Sequence, residues 1–381
     1  MRFAVSAILI LLLIVGCTVG RGSVVFPPEA DVQAQPPLGH DDDGADHRIL
    51  VSNGLSEELT LVERTDGVWN VTENALETGQ SPNYMTVRDG ICYVVNSLSN
   101  SIQIIDPENL ETLREISTGA GTNPMVMDFV DETTVMVSCY LSNEVLIIDI
   151  REDTPSDERI LKRIAMPEDD ELPHDTGKAS YARPGGLAVV GDRCYVACAN
   201  LSMVHVAGGP GVLAVINTSS GEITGQIELS GRDTISVLHS ERFPERLIIL
   251  SAGNYEPGTG FAGDGTVESL DISSGEIFQV IEIDGSPFEG TVGPEDVLFI
   301  ENGKSAEVLR VDIREGTQLD GWALPSYGEQ LSYASAIIAL PGLIAAANFN
   351  ADRIYLLDAE SGSINAELAT GDGPDAMAVV Y

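Results

Sequence analysis

The chain has 381 residues, with 59 acidic against 20 basic side chains and a formal charge of −39. A field of that sign repels phosphate backbones, which bind by releasing counterions to Lys and Arg, so nucleic acid is excluded as a partner. Hydrophobic residues make up 43% of the chain, enough for a sizeable core, and helical patterning is scarce, so one β-rich domain is expected to hold it.

Arg2 is followed by an apolar run from Phe3 to Val15 that only Ser6 breaks. The run is shorter than the ~20 residues of a spanning helix and suits the h-region of a signal peptide. Ile14-Val15-Gly16-Cys17 comes next; a branched apolar pair, then Gly and Cys, resembles the lipobox of bacterial lipoproteins. The resemblance implies cleavage before Cys17 with lipid on its thiol and amine. An ordinary secretory signal with an incidental Cys is the alternative. Several acyl chains anchor a protein where one gives marginal binding. Thr18 rather than Asp follows, which by the same resemblance favours the outer of two membranes or the cell surface. Residues 1–17 are assigned to this signal. Residues 18–47 lack periodicity, and Pro27-Pro28, Pro36-Pro37 and Asp41-Asp42-Asp43-Gly44 suit a disordered tether reaching on the order of 30 Å.

Residues 48–381 are built from repeats. Cys92-Tyr93-Val94-Val95-Asn96 leads through Ser97-Leu98-Ser99-Asn100 to Ser101-Ile102-Gln103-Ile104-Ile105-Asp106. The same two strands, polar turn and terminal Asp or Asn recur from Val135 to Asp149, Cys194 to Asn217, Leu247 to Asp271, Val297 to Asp312 and Leu343 to Asp358. A first copy runs from Ile49 to Glu63, so there are seven. Each is followed by a further strand, such as Glu222 to Ile227, and then by a turn that opens another, such as Pro184 to Val189. Four strands per repeat describe one propeller blade. The fold expected is therefore an all-β, seven-bladed β-propeller. The domain starts on a second-type strand and ends on a first-type strand, Ala376 to Val380. That last strand is expected to complete the first blade and remove an open edge.

Tyr93-Val94-Val95-Asn96, with its Ser-x-Ser-Asn turn and Ile-Asp, resembles the YVTN repeat of YncE-like β-propellers. The resemblance covers residues 48–381; the third repeat carries Val-Ser-Cys-Tyr where the motif has its Asn. It implies the fold and leaves the function open. Beyond Cys17 there are Cys92, Cys139, Cys194 and Cys198. Cys194 and Cys198 share a strand and stand ~13 Å apart at ~3.3 Å per residue, beyond the ~7 Å a disulfide spans. No CxxC spacing suggests zinc, and the thiols are expected to pack as small apolar groups. No metal site and no cofactor are expected.

Three insertions interrupt the repeats: Asp153 to Arg183, Ala199 to Gly211, and Gly253 to Gly265. Loops of this length are often functional or disordered. The first contains Glu168-Asp169-Asp170-Glu171 and His174, readable as a cation site or as a solvated acidic loop. The second and third sit at equivalent places in blades 4 and 5 and are expected side by side, as a lip over a pocket. Their candidate ligand-binding residues are His205, Tyr255 and Asp264. Arg183 and Arg232 lie near first-strand starts, where an inward Arg selects an anion or closes an internal ion pair. No nucleophile elbow, HExxH, phosphate loop or haem-attachment motif is present. The expected function is a monomeric, lipid-anchored binding or scaffold module of the cell envelope, whose partner is a protein, peptide or glycan. The alternative is a lactonase-like hydrolase or an electron-transfer dehydrogenase subunit with its site in the central channel. A convergent set of carboxylate, His and Arg side chains around a deep pocket would favour the alternative.

Overall fold

The computed structural model describes residues 47–167, 182–202, 205–326 and 333–380. They form a seven-bladed β-propeller, each blade a sheet of four antiparallel strands. From blade 1 to blade 7 the innermost strands are Pro374–Val380, Pro82–Arg88, Pro124–Phe129, Pro184–Val190, Thr234–His239, Pro287–Val292 and Ala334–Leu340. Each packs against the innermost strands of both neighbouring blades, so the ring is closed around a central channel.

Strand alternation builds the core. Successive side chains of a strand point to opposite faces, and in a propeller each face meets a different neighbour. Cys92 and Val94 therefore pack into the interface of blades 1 and 2, while Tyr93 and Val95 pack into that of blades 2 and 3. A strand buried on both faces reads as a continuous apolar run, which is why the second strands look so uniformly hydrophobic. Seven such clusters fill the seven interfaces, one between each adjacent pair. The outermost strands face water on one side, and Glu222–Glu228 alternates exposed and half-buried residues accordingly. Cys92, Cys139, Cys194 and Cys198 are free and buried within these clusters. Burial pushes the Cys92 and Cys198 thiols up to about 12, which leaves them unreactive at neutral pH.

The Asp or Asn at the end of the third strand in blades 2 to 7 has a local role. Asp106 accepts hydrogen bonds from the backbone N–H groups of Glu108 and Asn109, Asp312 from those of Arg314 and Glu315, and Asp358 from those of Glu360 and Ser361. Asn217 does the same for Ser220. Side-chain turns of this kind set the reversal into the outermost strand.

The insertion of blade 3 differs from the sequence reading. Ile160–Ala165 lies within it but is the outermost strand of that blade, paired with Glu144–Asp149. Its third residue is Lys162 and its fourth Arg163, so charge hides the strand from a hydrophobic pattern. The acidic run with His174 lies outside the described residues, as do the signal segment with Cys17 and the tether.

Ring closure follows the expected pairing. Arg48–Asn53 lies antiparallel to Pro374–Val380, with Ile49 opposite Val379 and Leu50 opposite Ala378. Met377 also belongs to the cluster between blades 7 and 1, and Ala376, Ala378 and Val380 to that between blades 1 and 2. Deleting Pro374 to Tyr381 uncovers both clusters and exposes strand edges. We expect the truncated chain to lose its cooperative thermal transition and to aggregate; an unchanged melting curve would show that the ring does not need this strand.

Candidate functional site

In every blade the pairing between the innermost and second strands shifts register within the first few residues of the innermost strand. Such bulges re-aim side chains. Here they coincide with the second residue of each innermost strand, and all seven of these residues line one cavity at that end of the channel: Asn83, Met125, Gly185, Ile235, Phe288, Ser335 and Asp375. The cavity encloses about 140 Å³.

Two glycines fix part of its wall. A Cβ on Gly186 would stand 2.7 Å from the Ser236 Cα, so blades 4 and 5 approach as closely as they do only without one. A Cβ on Gly303 would stand 1.7 Å from the Phe288 ring, which lies directly on that residue.

Both predicted insertions reach the cavity. In blade 4, Ala199, Leu201 and His205 line it, and a bridge between Leu201 and Ala207 closes the loop. In blade 5, Tyr255–Glu256 and Gly260–Phe261 form a small hairpin, and Tyr255 and Phe261 are on the cavity wall. Their rings meet edge to face at 5.1 Å, and Phe261 meets Phe288 of blade 6 in the same way at 5.2 Å. The wall is thus largely aromatic on the side of blades 5 and 6.

Of the residues singled out in the sequence, Arg183, His205 and Tyr255 line this cavity, whereas Arg232 and Asp264 do not. Asp264 is exposed and clasps the base of the hairpin, accepting hydrogen bonds from Asn254 N–H at 2.8 Å and Asn254 Nδ2 at 2.5 Å. Arg232 accepts a backbone hydrogen bond from Gly253 on its carbonyl. The residue equivalent to Arg183 in blade 5 is Asp233, not Arg232. Arg183 directly precedes Pro184, and Asp233 directly precedes Thr234; both have left-handed backbone, with φ of 50° and 53°. Five of the seven innermost strands begin with Pro and two with Thr or Ala, so the sequence marker for this position is missing in blade 5.

On the blade 4 side, the Tyr140 hydroxyl and His205 Nδ1 are 3.0 Å apart and their rings stack at 6.0 Å between centroids. The Arg183 guanidinium lies over the Tyr140 ring at 5.1 Å, and its Nη1 donates to the Tyr140 carbonyl at 3.3 Å. Burial, and then the charge of Arg183, press His205 down to about 4, so its ring is neutral at physiological pH.

Four carboxyls also line the cavity: Asp233, Glu289, Glu301 and Asp375. Sequence reasoning passed over all four. Burial lifts Asp233 to about 7. Glu289 and Glu301 are neighbours on blade 6, and both are raised, chiefly by burial; the charges of Glu289 and Asp375 raise Glu301 further. Among the described residues, no group of three or more His, Cys, Asp or Glu is placed to hold a metal ion.

No protein-family model matches this chain, and no curated protein does. The chain is similar in structure to a provisionally assigned 6-phosphogluconolactonase from Bacteroides fragilis, with 14% identity, a TM-score of 0.63, and coverage of 90% of this chain and 100% of that one. It is also similar to virginiamycin B lyase from Staphylococcus aureus, a catalytically inactive form with quinupristin, at 16% identity and a TM-score of 0.56 over 78% of this chain and 92% of that one. Hydrazine synthase from Kuenenia stuttgartiensis aligns at 15% identity and a TM-score of 0.59 over 77% and 88% of the two chains. At identities this low, the TM-scores show a shared fold alone.

The raised carboxyl gives a stability test. A raised acid pKa means the folded state holds a proton the unfolded chain gives up near its ordinary value of 3.8. The resulting stabilisation is full below that value and is lost as pH rises through about 7. Asp233→Asn removes the ionisable group, and Asn tolerates the left-handed backbone. The variant is expected to melt close to wild type near pH 4 and increasingly above it as pH rises to 8, by on the order of a few kcal/mol at most. A melting-temperature difference that does not grow with pH would count against a buried, titrating Asp233.

Proposed function

We propose that this protein is a lipid-tethered propeller of the cell envelope that holds a small organic ligand at the mouth of its channel. The observation that carries this reading is convergence. Arg183, His205, Tyr255 and four carboxyls, drawn from blades 1, 4, 5 and 6, meet in one cavity whose remaining wall is mostly apolar. Ligand sites have this composition, an apolar wall with a few placed polar groups. The insertions of blades 4 and 5 serve the reading as walls for a ligand rather than as an outer surface for a large partner. The resemblance of Tyr93-Val94-Val95-Asn96 to the YVTN repeat supports membership of that group of propellers. The sequence around Cys17 supports the tether.

A second reading, a hydrolase or lyase using the same cavity, is favoured by one observation. Asp233 titrates near neutrality, where a general acid or base works best. The lactonase and lyase names of two proteins with this fold agree with it at the level of fold. It differs from the first reading in requiring turnover of the bound molecule.

The cavity is tested through Gly303. Gly303→Ala forces the Phe288 ring off its seat and into the space it borders. Wild-type chain is expected to bind aromatic fragments such as benzyl alcohol in calorimetric titration, and Gly303→Ala to lose at least about tenfold in affinity while keeping its melting temperature within a few degrees. Equal binding by a folded variant would move the site away from Phe288.

The tether is tested through Cys17. Cys17→Ser is expected to abolish fatty-acid labelling in cells and to leave the chain unprocessed or released from membranes. Mature wild-type protein that carries no label would remove the anchor from this reading.

A further inference from the structure

The polar side of the cavity has an uncompensated feature. Asp233 is more than nine-tenths buried and lines the cavity. Among the described residues, no hydrogen bond or ion pair reaches its carboxyl, and burial alone accounts for its raised pKa. An ionised carboxylate in such a place is costly unless something positive pairs with it. The same cavity is lined by the aromatic rings of Tyr255, Phe261 and Phe288, which pack edge to face in a row. Ring faces attract cations, most strongly where water is excluded. Each of these groups would repel or ignore an anion.

We propose that the cavity selects an organic ammonium compound, with its charged nitrogen paired to Asp233 and its apolar body packed against Tyr255, Phe261 and Phe288. The proposal rests on the reading of the cavity as a ligand site and adds the class of ligand. Arg183 also lines the cavity, with its guanidinium held over Tyr140, so an incoming cation is received at the carboxyls rather than there. Glu289 and Glu301 on blade 6 and Asp375 on blade 1 add further acidic groups to the wall. The chain's formal charge of −39 raises the local concentration of cations and speeds their arrival.

The pairing also predicts a proton exchange. Asp233 is protonated below about 7, so a cation binding there displaces the proton. The other ionisable groups on the cavity wall are Arg183 and His205 of blade 4, Tyr140, Glu289, Glu301 and Asp375, besides the phenols of Tyr255 and Tyr333. His205 is already neutral above about 4, whereas burial raises Asp233, Glu289 and Glu301, so these carboxyls supply the released protons near neutral pH.

The experiment compares three probes of one shape on the full chain by calorimetric titration: benzyltrimethylammonium, benzyl alcohol and benzoate. The ammonium probe carries a permanent charge, so any pH dependence belongs to the protein. It is expected to bind at least about tenfold more tightly than benzoate at pH 8. Its affinity is expected to fall as pH drops below 7, by up to about tenfold per unit, with proton release visible as a dependence of the heat on the buffer. Asp233→Asn should weaken the ammonium probe by at least about tenfold and reduce its pH dependence to the part that Glu289 and Glu301 supply, while leaving benzyl alcohol unchanged. Benzoate binding as tightly as the ammonium, or an undiminished ammonium affinity in folded Asp233→Asn, would overturn the proposal. If benzyl alcohol binds and responds to Gly303→Ala while the ammonium does not bind, the cavity stands as a ligand site and only the ligand class falls. If no probe binds wild type, both readings fall.

Discussion

The pairing of Arg48–Asn53 with Pro374–Val380 is the contact on which the rest of this molecule depends. It joins the first and last strands of the propeller into one sheet and thereby turns a row of blades into a ring. Each blade has a thin sheet that cannot bury its own faces, and its core exists only as interfaces with two neighbours. A row would leave two terminal faces wet; the ring leaves none, and all seven apolar clusters lie between blades. The same closure makes the cavity, because Asp375 of the closing strand supplies part of a wall that also includes residues as early as Asn83.

Closure is reinforced near the axis by side chains that cross from blade to blade. Ser52 of blade 1 donates to the Pro82 carbonyl of blade 2, Asn83 of blade 2 to the Met125 carbonyl of blade 3, and Ser335 of blade 7 to the Pro374 carbonyl of blade 1. The innermost strands start where the bulges break their ladders, so backbone groups there need other partners. A ring tied in this way can hold buried ionisable groups, since the blades around them cannot separate to let water in without breaking apolar interfaces.

The fold was legible in the sequence because its local rules repeat. Two apolar strands and a polar turn recur seven times, six of them closed by a terminal Asp or Asn, and each element has a local physical cause that does not depend on the remainder of the chain. The exception is instructive: Ile160–Ala165 carries Lys162 and Arg163, and an outermost strand with one wet face needs only alternate apolar residues. The site was less legible. The long turns of blades 4 and 5 pointed to His205 and Tyr255 by their length alone. The four carboxyls were hidden by their surroundings, because in a chain with 59 acidic residues nothing in the sequence distinguishes a buried Asp from a solvated one. Burial is a property of the ring, and the seven positions that face the axis come together only when it closes.

Within the site, the turn chemistry of the repeat doubles as a positioning device. Asn100 of blade 2, Asn143 of blade 3 and Asp352 of blade 7 all have left-handed backbone, and each accepts a hydrogen bond from the N–H of the residue before the next innermost strand: Asn123, Arg183 and Gly373. Those three donating residues also have left-handed backbone. Asn and Gly adopt it readily, whereas a long side chain such as Arg does so at a cost. Arg183 is therefore the position where the repeat's own preference is overridden, and it lines the cavity. Strain of this kind persists where surrounding structure over-determines it, and here the Asn143 side chain and the Tyr140 carbonyl both hold Arg183 in place. In the next blade the equivalent position carries Asp233, a residue that suits the backbone but not the burial. Adjacent blades thus depart from the rule in opposite ways, one through conformation and one through charge. The two departures set a fixed cation and a titrating acid on the same cavity wall.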